Sequence, residues 1–289
     1  MITPVALRAE ADSLGQSMPA LLAEAERLSS ALSLGEHGRK RAGHGADFWQ
    51  YRPAMPGDSA RSIDWRRSAK SDAPYIRERE WQASQGVTFW VDPARSMQFQ
   101  GAKSRPTKAE RAAVLAMALA ISLLKGGERV AVEGQGRPRA GMAQLQPMAM
   151  ALTRLQSDEF GAPSLHDTIA HGWAVVISDF LGDLDPLQQA LATSADKGVR
   201  GAMIQVLDPV EEDFPFDGRT IFQSIGGGIA FETQEAGDLR QRYLERLAER
   251  KAELARMARA LGWHVTTHHT GSAALPCLLW AHQALGVQR

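Results

Sequence analysis

The sequence predicts an α/β fold in which a mostly parallel sheet is covered by helices on both faces. Three observations support this prediction. Short, largely apolar runs occur at 87–91, 173–178 and 202–207, which is typical of strands buried on both faces of a parallel sheet. Segments with helical periodicity follow these runs, as in βαβ units. Each run ends in an aspartate, and ligands of such sheets bind beyond the carboxyl ends of the strands.

The chain before the first of these runs is expected to fold differently. Residues 6–34 are rich in alanine, leucine and glutamate at helical spacing, and they predict one or two helices. Residues 37–45 are basic and dense in glycine, which indicates a loop. Residues 46–81 interleave aromatic and charged side chains between turn signals, which favours short strands in a small β subdomain.

The α/β part begins with a strand at 87–91, an acidic loop and a buried helix. Thr107 and Glu110 form a capping box at the start of this helix, and Gly126 marks its end. The other predicted elements are, in chain order, a strand at 129–135 with a hairpin into 139–141, a helix at 143–155, a strand at 173–178, a helix at 184–197, a strand at 202–207, a hairpin at 219–231, a helix at 238–261, a strand at 263–268 and a helix to 285 that Ser272 caps.

These elements predict three segments. They are a helical segment at 1–36, a charged and aromatic β-rich subdomain at 37–85, and an α/β domain at 86–289 with a hairpin insertion near 219–231. A chain of 289 residues is long enough to bury most of its apolar surface without a stabilising disulfide.

The composition argues against several classes of protein. The chain has 33 basic and 33 acidic residues, a balance that does not favour coating nucleic acid or an anionic membrane. Its single cysteine, Cys277, cannot form an internal disulfide. No apolar run reaches the roughly 18 to 20 residues of a membrane helix, and the first residues lack the features of a signal peptide. We therefore expect a soluble cytoplasmic protein.

Asp92, Ser96 and Asp179 are the candidate functional residues, because they follow strands that are expected to be neighbours in the sheet. Carboxylate and hydroxyl oxygens are ligands that Mg²⁺ accepts. The pattern therefore permits a magnesium site at this edge of the sheet. The alternative is that each aspartate caps the following helix or binds the backbone of its own loop.

Two sequence patterns resemble known families. The sequence DPARSM at 92–97, together with VVISDF at 175–180, is similar to the metal-ion-dependent adhesion site of von Willebrand factor A domains, whose first motif is D-x-S-x-S. Residues 43–81 resemble the signature of the domain of unknown function 58 family. The matching positions are Pro56, Gly57, Asp58, Arg61, Ile63, Asp64, Trp65, Ala69, Tyr75, Arg77 and Glu78. The similarity extends from about Gly38 to the last helix, and it implies a Rossmann-like fold of von Willebrand A type.

The resemblance implies a metal site with one departure from the adhesion motif. Asp92 and Ser96 match the motif, but Ala94 stands where the motif has its middle serine, and a methyl group cannot ligate a cation. Asp179 supplies the second carboxylate, and Ser164 is the candidate for the threonine of the third loop. The alternative to bound Mg²⁺ is a degenerate site in which Asp92 pairs with a cation of the protein.

The charged residues of the second pattern are expected to have a structural role. Alternating acids and bases beside a tryptophan more often form a paired network than a catalytic group. The residues of this signature group are Asp58, Arg61, Asp64, Trp65 and Arg66.

The family resemblance implies a binding function. Proteins of this family are associated with MoxR-type AAA+ ATPases, and a von Willebrand A domain binds a partner whose carboxylate completes the coordination of the metal. The hypothesis is a non-enzymatic adaptor that works with such an ATPase in a chaperone-like complex. Two alternatives stay open: a metal-dependent phosphodiester hydrolase that uses Asp92 and Asp179, and a nucleic-acid-binding protein that uses the basic loop.

Overall fold

A computed structural model gives the fold. It describes residues 25–30, 42–55, 58–59, 63–69, 74–80, 84–153, 158–223 and 230–286. The chain forms two compact units. One consists of Met1–Gly35 and Gln85–Leu285, and the other of Glu36–Ser84 and Gly286–Arg289. The segment boundaries that the sequence predicts at 36/37 and 85/86 stay a prediction.

The smaller unit contains a two-stranded antiparallel sheet and a short helix. The strands are β1 (Ala42–Pro53) and β2 (Tyr75–Glu80), and the helix is α1 (Trp65–Ser68). Residues 42–45, which the sequence predicts in a loop, lie in β1 instead. Gly43 pairs with Arg79, and the register then shifts before Phe48 pairs with Arg79 as well. A bulge of this kind accommodates glycine, so pairing with β2 outweighs the local preference for a loop.

The larger unit is built on a sheet of five parallel strands. They are β3 (Gly86–Val91), β4 (Arg129–Val132), β5 (Trp173–Ser178), β6 (Arg200–Leu207) and β9 (His264–His269). Their order across the sheet is β4-β3-β5-β6-β9, and every neighbouring pair is parallel. The predicted Rossmann-like α/β architecture, with a parallel sheet, is confirmed.

The strand order reverses between β3 and β5. The chain passes from β3 to β4 on one side and then returns to form β5 on the other side of β3. In open α/β sheets, ligands bind beyond the carboxyl ends of the strands at such a reversal. Asp92 follows β3 and Asp179 follows β5, so the topology places both residues there.

Helices cover both faces of this sheet. They are α2 (Lys108–Lys125), α3 (Leu145–Leu152), α4 (Asp185–Asp196), α5 (Pro209–Asp213), α6 (Gly237–Ala260) and α7 (Ala274–Ala284). The predicted capping box of Thr107 and Glu110 is present at the start of α2, and Gly126 is its C-cap. Most side chains of α2 are buried, because it packs on four strands and against α3 and α7.

The opposite face carries a second apolar layer. Side chains of β3, β5 and β6 that alternate with those facing α2 pack against α4 and α6. The buried residues of this layer include Trp90, Val176, Leu187, Leu191, Met203, Leu254 and Trp263. The sheet is therefore buried on both faces, which explains why its strands are nearly continuous apolar runs.

A hairpin interrupts the chain between α5 and α6. Its strands, β7 (Thr220–Gln223) and β8 (Ala230–Thr233), pair antiparallel, as predicted for 219–231. Together with residues that follow α5, this hairpin forms an aromatic surface of the larger unit.

Several predicted helix ends differ from the structure by one to three residues, and two of these differences have a local cause. The N-cap of α7 is Ala273 and not Ser272, and it makes no side-chain capping bond. A helix capped by Ser272 would need the N–H of residue 276 to donate to the carbonyl of Ser272, and Pro276 has no N–H. The helix predicted at 143–155 spans Leu145–Leu152. It begins later than predicted because Pro147 belongs in a first turn, and a 3₁₀ turn (Met142–Gln144) precedes it. Among the described residues, no helix is both long and apolar enough to cross a membrane.

Candidate functional site

Asp92 is buried at the carboxyl end of β3, with 2% of its surface exposed. The hydroxyl of Ser178 donates to its Oδ2 over 2.7 Å, and the N–H of Ala94 donates to its Oδ1 over 2.9 Å. The backbone of Gly161 also forms a hydrogen bond with this carboxylate. Gly161 approaches so closely that a Cβ atom there would collide with Oδ1. Both oxygens of Asp92 are therefore engaged by neutral donors.

The surroundings of Asp92 make its charged form less favourable than in water. Burial raises the pKa of Asp92 above its usual value, and the charge of Asp179 raises it further. Hydrogen bonds from Ser178, Ala94 and Gly161 act in the opposite direction without cancelling the effect of burial. No ion pair joins Asp92 to another residue in the described part of the chain, so the predicted pairing of Asp92 with a protein cation is not formed there.

The cation of this region pairs with Asp179 instead. Lys108, the first residue of α2, is 1% exposed, and its Nζ lies 2.8 Å from Asp179 Oδ2 and 2.7 Å from Glu211 Oε1. The other oxygen of Asp179 accepts a hydrogen bond from the N–H of Leu181 over 3.0 Å. Nζ also lies 5.5 Å from the centre of the Phe99 ring, a favourable cation–π distance. We call Lys108, Asp179 and Glu211 the lysine cluster.

The lysine cluster holds its positive charge firmly. Burial lowers the pKa of Lys108, but the carboxylates of Asp179 and Glu211 raise it by more, so the pKa lies above its usual value. Burial raises the pKa of Glu211, and the ammonium of Lys108 lowers it only in part, so this pKa also stays above its usual value. At neutral pH a buried ammonium therefore occupies the end of the sheet beside Asp179.

The predicted metal ligands are only partly brought together. Asp92 and Asp179 line one cavity of about 10 Å³. Ser96 lies in a 3₁₀ turn, and its Oγ is buried without a hydrogen-bond partner. Ser164 is exposed, and both its N–H and its hydroxyl donate to Oε1 of Glu133. Neither serine lines the cavity that the two aspartates share.

These residues do not fit a divalent metal ion. Mg²⁺ and Ca²⁺ take six or more oxygen ligands, whereas Asp92 and Asp179 share a cavity of about 10 Å³, which has room for about one water molecule, and the side chain of Ala94 offers no oxygen. The ammonium of Lys108 would repel a metal held by the same carboxylate. Within the described ranges, no group of three or more His, Cys, Asp and Glu side chains could hold a metal. The unpartnered hydroxyl of Ser96 alone is too weak a ligand.

Asp208, at the end of β6, is neutralised in a similar way. The guanidinium of Arg105 donates to both of its oxygens over 2.7 and 3.1 Å, and the hydroxyl of Thr270 donates over 2.7 Å. Burial raises the pKa of Asp208, but these bonds lower it by more, so the pKa lies below its usual value. Asp208 also caps α5 through the N–H of Val210. Asp92 and Asp179, for which the sequence offers a local role as the alternative to a metal site, accept N–H groups of their own loops, from Ala94 and Leu181.

Comparison with known protein sequences places the chain in a family. The family model described as "Protein of unknown function DUF58" matches residues 50–253, which is more than half of the chain. The chain belongs to the DUF58 family. This confirms the resemblance carried by the signature at 43–81.

Two relatives of this DUF58 chain are described as uncharacterized proteins. It is 26% identical over 246 residues to the uncharacterized protein Rv1480 of Mycobacterium tuberculosis, a match that covers 79% of this chain and 76% of that protein. It is 29% identical over 133 residues to the uncharacterized protein MAV169 of Mycobacterium avium, which covers 46% of this chain and 72% of that protein.

Two solved structures are similar to the DUF58 chain at low identity. One is an aerotolerance-related membrane protein from Bacteroides fragilis, with 15% identity and a TM-score of 0.38. The other is the conserved hypothetical protein BatB from Bacteroides thetaiotaomicron, with 13% identity and a TM-score of 0.37. Each match covers 70% of this chain and 99% of the other.

The acidic residues of the DUF58 signature stabilise local turns. Asp64 caps α1 by accepting the N–H of Arg67 over 3.0 Å, and its other oxygen accepts the hydroxyl of Tyr51 over 3.1 Å. Asp58 accepts the N–H of Met55 over 2.7 Å.

The described basic and aromatic residues of the signature group, Arg66 and Trp65, are exposed to solvent. Trp65 is 66% exposed, and Arg66 is exposed as well. Arg61 lies outside the described residues. The structural role proposed for this group stays a prediction.

Sequence reasoning missed Lys108 and Glu211. A positive charge in the first turn of a helix interacts unfavourably with the helix dipole. Lys108 begins a largely apolar helix, so its position indicated that acidic residues from another part of the chain pair with it. Glu211 completes a capping box with Asp208, three residues earlier, which was also recognisable. That these two residues meet at Asp179 depends on contacts distant in sequence.

Proposed function

We propose that this DUF58 chain is a non-enzymatic protein-binding module whose partner is a MoxR-type AAA+ ATPase, the partner class that the family resemblance implies. We propose further that binding requires no metal ion. The observation that supports metal-independent binding is the lysine cluster. Asp179, which the metal hypothesis needs as a ligand, is already bound by the ammonium of Lys108.

The strand-end site offers no open group for acid–base or nucleophilic chemistry. Both oxygens of Asp92 accept hydrogen bonds, and the carboxylates of Asp179 and Glu211 share one ammonium. The cavity of about 10 Å³ has room for about one water molecule and no substrate. Burial raises the pKa of Cys277 to about 12, so its thiol is protonated and unreactive at neutral pH.

The other candidate functions have less support. A phosphodiester hydrolase acting through Asp92 and Asp179 would need a metal to activate water, and the donor set does not fit one. Nucleic-acid binding was predicted from the basic loop, whose basic residues at 39–41 lie outside the described residues.

Affinity capture tests the proposal. Tagged full-length protein is incubated with native lysate of the source organism, in Mg²⁺ and in excess chelator, and bound proteins are identified by mass spectrometry. An Asp92→Asn variant is tested in parallel, since it would remove a metal ligand without affecting the metal of the ATPase. We expect an AAA+ ATPase with the wild-type protein in both conditions and with the variant. Recovery that needs both Mg²⁺ and Asp92 would contradict metal independence, and no ATPase in any arm would contradict the partner.

A further inference from the structure

We propose that an aromatic groove of the larger unit binds an acidic peptide segment of the partner, in which an aromatic or large aliphatic side chain lies next to a carboxylate. The groove has a volume of about 440 Å³. Its lining includes Phe214, Phe216, Phe222, Phe231, Tyr243 and the arginines Arg242 and Arg246. The proposal rests on the binding function above and specifies the chemistry of the bound segment.

The walls of the groove are held in place by contacts among aromatic rings. Phe214 follows α5 in a left-handed conformation, is buried, and lies 4.8 Å from Tyr243 of α6 between ring centroids. Phe222 of β7 lies 5.6 Å from Phe214 and 5.3 Å from Phe216. These are favourable distances for aromatic pairs. The groove therefore exists before a partner arrives, which lowers the entropic cost of binding.

The rim of the groove leaves apolar surface in contact with water. Phe231, which pairs with Phe222 across the hairpin, is 53% exposed. Exposed aromatic surface beside polar residues is typical of protein-interaction sites. Pockets for small ligands enclose most of the ligand, whereas this groove is open along the exposed Phe231 and the exposed arginines. An extended or helical peptide segment suits such an open groove better.

Two arginines of the groove, Arg242 and Arg246, favour binding of an acidic peptide. Arg242 and Arg246 are one turn apart on α6 and exposed, and neither forms an ion pair within 4 Å with any described residue. The acid that lines the groove, Glu211, is already bound to Lys108. Both guanidinium groups can therefore bind a carboxylate of a peptide in the groove. A guanidinium binds a carboxylate through paired hydrogen bonds, so an acid beside an apolar anchor matches both features of the groove.

Peptide display on the purified full-length protein tests this proposal. A library of short random peptides is selected, and the consensus peptide is synthesised with a fluorophore for binding by anisotropy. We expect a consensus that combines Phe, Trp or Leu with adjacent Asp or Glu. The double variant Arg242→Glu/Arg246→Glu should weaken its binding by more than about tenfold, because two charge-assisted contacts are lost. Phe231→Ala, at an exposed position, should weaken binding as well.

A matched control separates the groove from the overall charge of the protein. Arg240 and Arg256 are exposed on the same helix and do not line the groove, so Arg240→Glu/Arg256→Glu makes the same charge change elsewhere. Circular dichroism verifies that each variant is folded. A library without a consensus that combines Phe, Trp or Leu with an adjacent acid, or groove variants that bind as the control does, would overturn the proposal. Groove-dependent peptide binding without capture of an ATPase would support the groove and contradict only the proposed partner.

Discussion

At the scale of single residues, Lys108 determines the character of the strand-end site. A buried ammonium is costly unless carboxylates compensate it, and Asp179 and Glu211 do so at 2.8 and 2.7 Å. Removing the lysine would leave two carboxylates without a cation inside the protein.

We therefore predict that Lys108→Met lowers the free energy of unfolding by about 3 to 5 kcal/mol, the usual cost of breaking a buried pair from one side. Urea denaturation at neutral pH measures this loss. Lys125→Met is the control, because Lys125 is exposed at the other end of α2 and should cost no more than about 1 kcal/mol. Equal small losses in both variants would mean that the lysine cluster does not stabilise the fold.

Asp92 gives a prediction about pH. Burial raises the pKa of Asp92 in the folded protein above its ordinary value of 3.8. The charged form therefore opposes folding: the contribution of Asp92 to stability is fully present below about pH 3.8 and is lost as the pH rises through the folded pKa. Asp92→Asn, which keeps the shape but carries no charge, should be at least as stable as wild type at neutral pH.

The advantage of the Asp92→Asn variant over wild type should shrink as the pH falls toward 3.8. Urea denaturation of both proteins at a series of pH values measures the difference. If Asp92 held a metal or a protein cation, its pKa would be lowered, and the variant would lose stability relative to wild type as the pH rises. That opposite trend would refute the geometry described for Asp92.

Some contacts of the strand-end aspartates could be predicted from the sequence, and others could not. The meeting of Asp92 with Asp179 could be predicted, because each follows an apolar run and parallel strands end at the same edge. The pairing of Asp179 with Lys108 could not be predicted, because Lys108 is 71 residues away in sequence and lysine side chains are exposed to solvent in most proteins. The position of Ser164 also depends on a contact distant in sequence, with Glu133.

At the scale of elements, the start of α2 positions Lys108. The hydroxyl of Thr107 accepts the N–H of Glu110 over 3.1 Å, and the carboxylate of Glu110 accepts the N–H of Thr107 over 2.8 Å. Thr107→Ala should lower the free energy of unfolding by about 1 kcal/mol, the typical value of an N-cap. Thr193→Ala is the control, since Thr193 is exposed inside α4 and its hydroxyl binds only the carbonyl of Gln189. Calorimetric or urea unfolding that shows equal effects for both variants would contradict the role of the cap.

Elements with strong local signals were predicted well. β5 has the predicted bounds, because a six-residue apolar run is long enough for a strand and too short for a helix. β1 extends into a glycine-rich stretch because β2 pairs with it, and a partner strand is not visible in local sequence. The start of α7 was misplaced by one residue, because the preference of serine for caps was given more weight than Pro276.

At the scale of the whole molecule, the topology explains why the site is internally neutralised. Strands β3, β5 and β6 end side by side, so their three aspartates converge at one edge of the sheet. Helix α2 and the segment before it supply Lys108 and Arg105 to that edge. Alternating apolar runs and helical segments were sufficient to predict the sheet, whereas function depends on which side chains occupy its edge.

The most direct test is a titration of the isolated full-length protein with Mg²⁺ and Mn²⁺, followed by urea unfolding. A metal that binds with an affinity of about 0.1 mM, present at about 10 mM, would add about 2.7 kcal/mol to the free energy of unfolding. We predict no saturable increase with either ion, and no difference between wild type and Asp92→Asn in the response. A saturable increase in the wild-type protein that Asp92→Asn abolishes would show that a metal, and not Lys108, completes the strand-end site.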